Sequence, residues 1–190
     1  MKRRLTQALG ASLVFAMFGC AWGAYGMYSL GRTDQPWLVG IPLAITIVLI
    51  VILSKLQRRV EALPSEPADP AIEKRDARGR QIFSLVNCVQ AVAIIVAVKL
   101  LLNARPELVA PIVAAIVGLH FLVLAGPMEM PTHWIAGGLI WLFAFGVVAM
   151  TASGGWAVFI GLGNAVILWT CYVIELRVVL AGVMRQDSAR

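Results

Sequence analysis

An all-α, polytopic transmembrane bundle of six helices is the fold class this sequence predicts, and three observations predict it. Of 190 residues, 60% are apolar and only 14% charged, with a mean hydropathy of +0.84. Too few polar groups remain to cover a water-soluble domain of this size. The apolar residues fall in six runs of about 20, the length of helix that crosses a hydrocarbon core. The basic residues gather between alternate runs, which is how a membrane protein is oriented.

The first run, 5–30, follows the basic head Lys2-Arg3-Arg4. A basic head and an apolar core imitate a secretory signal. A lipoprotein cleavage site before Cys20 would want a small residue where Phe18 stands, and the run is long enough to cross a bilayer. It is expected to stay as span one. Residues 31–36 form a short turn, with Pro36 placed where a helix start does not miss its N–H. Span two covers 37–56, and its helix is expected to continue to about Leu63. Spans three to six are expected at 82–102, 108–125, 133–151 and 156–177, joined by short loops at 103–107, 126–131 and 153–155. In lipid each must be helical, since an open strand would leave backbone groups unpaired. Short loops make successive spans antiparallel neighbours.

One long polar segment interrupts this series, with a basic loop at 57–80. Residues 55–80 hold Lys55, Arg58, Arg59, Lys74, Arg75, Arg78 and Arg80, seven of the 16 Lys and Arg residues. Pro64, Pro67 and Pro70 make a stiff link, and Asp69-Pro70 reads as an N-cap and first-turn proline opening a basic helix that Gly79 bends. With this segment inside, the inner side carries 13 basic residues and the outer side three, Arg32, Lys99 and Arg105. Both termini are then cytoplasmic, and the whole chain, 1–190, is one integral membrane domain of a bacterial inner membrane. The basic groups are placed to meet anionic headgroups. A net charge of +6 would otherwise suggest nucleic acid, but no aromatic-interleaved basic face exists.

Polar groups at membrane depth are costly and face the bundle interior, so each is a candidate. Ser84, Asn87 and Gln90 lie along one side of span three. His120 lies in span four, and Asn164, Tyr172 and Glu175 in span six. At 1.5 Å per residue all but Asn164 fall in the inner half. His120 and Glu175 are expected to form a titratable pair in a pocket open to the cytoplasm, with Asn87, Gln90, Tyr172 and Ser84 around it. Such a pocket suits a proton or a small solute. Asn164 reads as packing. Gly19 and Gly23 form a G-x-x-x-G, suited to close helix approach within the chain or to a homodimer.

Cys20, Cys88 and Cys171 lack paired spacing and read as buried small hydrophobes. No metal or cofactor is expected. Met128, Met130 and His133 are too few for a copper site, and His133 is expected at the interface, out of level with His120. No P-loop, nucleophile elbow or H-E-x-x-H occurs. A lipid-directed membrane enzyme would need such a group, so a solute- or proton-handling protein is the leading expectation. An assembly partner without chemistry is the alternative.

Residues 118–125, Gly-Leu-His-Phe-Leu-Val-Leu-Ala, resemble a G-L-H-F-L-x-L-A stretch in a middle helix of small multi-pass bacterial membrane proteins. That group lends no activity, only an emphasis on His120.

Overall fold

A computed structural model of the chain describes residues 2–31, 34–64 and 70–187. Six helices among them are long and apolar enough to cross a membrane, and no strand is found among the described residues.

Helices α1 (Lys2–Tyr28) and α6 (Trp156–Asp187) form the central antiparallel pair. Three glycine contacts fix their register. Gly182 lies under Leu5, Gly19 against the Trp169 indole, and Gly26 against the backbone of Gly161 and Leu162. A Cβ on Gly161 would stand 2.5 Å from Gly26 Cα, and one on Gly26 2.7 Å from Leu162 N. Backbone cannot yield as a side chain can, so this crossing admits only glycine. In lipid, where no hydrophobic effect drives helices together, such close approach supplies the packing.

Helix α2 (Gly40–Glu61) lies antiparallel along α1. Pro42 packs beside Gly23, Thr46 Oγ1 donates to Ala16 O at 3.4 Å, and Lys2 Nζ donates to the carbonyls of Glu61 and Leu63 at 2.8 Å each. A cation on the last carbonyls of a helix satisfies groups with no partner of their own and meets the negative end of the dipole. Gly19 and Gly23 are thus turned inward, onto Trp169 and Pro42. Both are buried within their own chain.

Helix α3 (Pro70–Leu101) packs chiefly on α4 (Val109–Met128), and α4 forms a hairpin with α5 (Pro131–Met150). Gly118 and Gly137 let the hairpin close, and Trp141 Nε1 donates to Ala115 O at 2.7 Å. The loop expected at 126–131 shrinks to Glu129 and Met130. Pro127 continues the helix for its last turn, forfeiting one hydrogen bond. Glu129 then ends it in the left-handed conformation, at φ 54° and ψ 37°, with Met130 N donating back to Ala125 O at 3.2 Å. This is the closure glycine usually provides. Helix α6 also outruns its expected end at Arg177, running to Asp187 over 32 residues.

Pro70 opens α3 as expected, and the helix is continuous through Gly79, where a bend was expected. Asp69, Pro67 and Arg32 lie outside the described residues. Pro36 and Pro106 each open a 3-10 turn leading into the next helix, and 153–155 makes a third.

The start of α1 and the end of α6 share one face of the bundle, called here the terminal face. The flanks of the polar segment and the α4–α5 turn reach it too. Arg3 pairs with Asp76 at 2.5 Å, and Arg75 pairs with Glu129. Each such partly exposed pair contributes about 0–1 kcal/mol; together they tie α1, α3 and the turn into one layer.

Candidate functional site

Among the described residues, eight polar side chains are buried: Ser12, Thr46, Gln90, His120, Thr132, His133, Asn164 and Glu175. Two are quieted by backbone, Ser12 on Ala8 O at 2.8 Å and Thr46 on Ala16 O. The rest require an account.

The centre is the first turn of α5. Thr132 Oγ1 donates to the Glu175 carboxylate of α6, with both side chains buried. A carboxylate at the start of a 20-residue helix meets the positive end of its dipole and N–H groups with no partner of their own. His133, the next residue, packs its ring on Phe15 at 5.3 Å and on Phe121 at 5.5 Å. Phe121 in turn meets His120 at 5.6 Å, so one phenyl ring stands against both imidazoles. His120 is itself buried on α4. The Nδ1 atoms of both histidines are buried with no hydrogen-bond partner among the described residues.

The expected residues scatter more than the sequence suggested. His120 and Glu175 do not bond each other; they are linked through Thr132 and His133. Tyr172 is fully buried, but its hydroxyl donates to Leu49 O on α2 at 2.6 Å. Gln90 is buried on α3, with Nε2 unpartnered. Asn87 turns back onto Phe83 O of its own helix at 2.7 Å. Ser84 is exposed. Cys171 is buried, whereas Cys20 is half-buried and Cys88 exposed, so buried packing holds for one cysteine of three.

Thr132 and His133 are what sequence reasoning missed. His133 was expected at the interface because it opens a span. The structure buries it to 3% exposure, since its neighbours overshoot it. α6 continues 12 residues beyond Glu175, about 18 Å at 1.5 Å per residue. α1 and α2 reach the same layer. Thr132 and His133 are therefore covered by neighbouring helices, while Glu129 and Pro131 of the turn beside them stay exposed. The signal that could have shown this was the length of the polar flanks: α2 and α6 both carry helical sequence past their apolar runs.

Chemically, the arrangement offers a carboxylate held by a hydroxyl and two imidazoles, each with a nitrogen able to take a proton. Among the described residues, no three His, Cys, Asp or Glu side chains converge as a metal set would. No protein-family model, curated protein or solved structure matches the chain.

Proposed function

We propose that this is a multi-pass protein of a bacterial inner membrane, its termini in the cytoplasm, that carries protons between Glu175 and the paired imidazoles of His133 and His120. The terminal face is then the cytoplasmic one. The excess of basic residues at that face supports the orientation, and it sets Lys74, Arg78 and Arg80 against anionic headgroups. The observation that carries the reading is the Thr132–His133 step, which holds a buried carboxylate with one residue and presents an unpartnered imidazole with the next. Imidazoles enclosed by Phe15 and Phe121 favour proton exchange over entry of a solute.

Purified protein in liposomes with an imposed pH gradient and an internal pH dye tests this. Wild type should dissipate the gradient, with Glu175→Gln and His133→Ala each slowing it about a hundredfold or more, the size of effect expected when a proton-transfer group is removed. Wild type indistinguishable from protein-free liposomes would refute it.

An assembly role is the second reading. The observation favouring it is α3, whose apolar window is only 6% buried within the chain. It predicts a co-purifying membrane protein whose binding survives His133→Ala.

A further inference from the structure

Asn164 was expected to be packing, yet it packs as no ordinary asparagine does. It is 0% exposed, and neither Nδ2 nor Oδ1 has a partner among the described residues. Polar side chains in this bundle have a common way of satisfying themselves, bonding a carbonyl one turn back on their own helix. Asn87 does so at 2.7 Å, Ser12 at 2.8 Å and Thr170 at 2.8 Å. Asn164 does not. An amide left unpaired in an apolar medium is costly. A water molecule, donor and acceptor at once, answers both amide atoms, and the carbonyl of Ile160 one turn back can supply a third contact.

The place of Asn164 gives this a use. Asn164, Leu168, Cys171 and Glu175 follow at spacings of four, three and four, so they form one stripe along α6. All four are buried, at 0, 0, 1 and 5% exposure. At its inner end Glu175 bonds Thr132 of α5, and close to Asn164 Gly161 packs on Gly26 of α1, so the stripe lies between neighbouring helices. Asn164 lies about 16 Å from Glu175 along the helix, toward the face opposite the termini. That is too far for direct transfer, and Leu168 stands between.

We infer that Asn164 is a water-binding site in the outer half of the bundle, and that Leu168 is the apolar plug separating it from Glu175. The inference rests on the proton reading above. A proton arriving on the Asn164 water crosses along a short file of waters when Leu168 moves aside, leaving water behind and forming the neutral acid at Glu175. Packed closed, Leu168 blocks the file by dewetting, as apolar constrictions do in pores.

The test uses the same pH-gradient liposomes with full-length protein. Leu168→Ala should raise the proton rate about tenfold over wild type, and Asn164→Leu should lower it about tenfold. Asn164→Ser, which keeps a donor and an acceptor, should stay within about threefold and guards against misfolding of the leucine variant. If wild type conducts and neither Leu168→Ala nor Asn164→Leu changes the rate, the inference is overturned while the proton reading stands. If wild type and Leu168→Ala are both silent, both are overturned. A silent wild type with a conducting Leu168→Ala overturns both as well, since the native chain then carries no protons.

Discussion

The α1–α6 seam and the α3–α4 seam solve the same problem by opposite means. Along α1–α6, glycines let the helices close, backbone on backbone at Gly26 and Gly161 and under the Trp169 and Leu5 side chains at Gly19 and Gly182. Half of the apolar window of α1 is buried within the chain, against 6% of that of α3. Where α3 does meet α4, buried polar groups gather instead: His120 on α4 and Gln90 on α3. Shape holds the first seam, and polar side chains mark the second. The lesson is that this bundle closes tightly by shape along α1–α6, while its buried polar groups sit on both seams, Glu175 on α6 and His120 beside the looser α3.

Substitutions can break that contrast or sharpen it. The largest effect is expected at Gly161→Val. Its Cβ would meet Gly26 backbone that cannot move aside, and overpacking of about 3 kcal/mol or more should follow. Loss of the folded fraction in detergent melts would show it; a melting point near wild type would mean the helices are not in backbone contact. Thr132→Val is next. It leaves the buried Glu175 carboxylate without its donor, a cost of about 1–3 kcal/mol, read by thermal melting and by a slowed proton rate. On the loose side, Leu85→Ala and Val92→Ala should change stability by about 0.5 kcal/mol or less, because both side chains are over 60% exposed on α3. A large loss at either would reveal a partner seated on that helix.

Much of the fold was legible because lipid leaves a chain few options. The six apolar runs, the prolines at 36, 70 and 106, and the even span count each follow from backbone satisfaction. Helix ends were less legible. Arg177 looked like the end of span six because charge leaves lipid, but a helix can continue into water, and α6 does so to Asp187. Pro127 looked like a break, but its single lost bond falls in a last turn that Glu129 closes in the left-handed region. These two departures explain the site. Depth counted from each span's own ends put His133 at the surface, whereas burial depends on how far the neighbouring helices extend. His120, Gln90 and Glu175 were found from cost alone, since polar groups in apolar runs are conspicuous. Thr132 was not, because a threonine at a helix start has an ordinary reason to be there.

The most direct test of the central claim, that Glu175 exchanges protons beside His133, is infrared difference spectroscopy of the reconstituted protein as pH is stepped. The account predicts a protonated-carboxyl band that Glu175→Gln removes and that His133→Ala displaces along the pH axis. A band that survives Glu175→Gln, or one that His133→Ala leaves untouched, would contradict it.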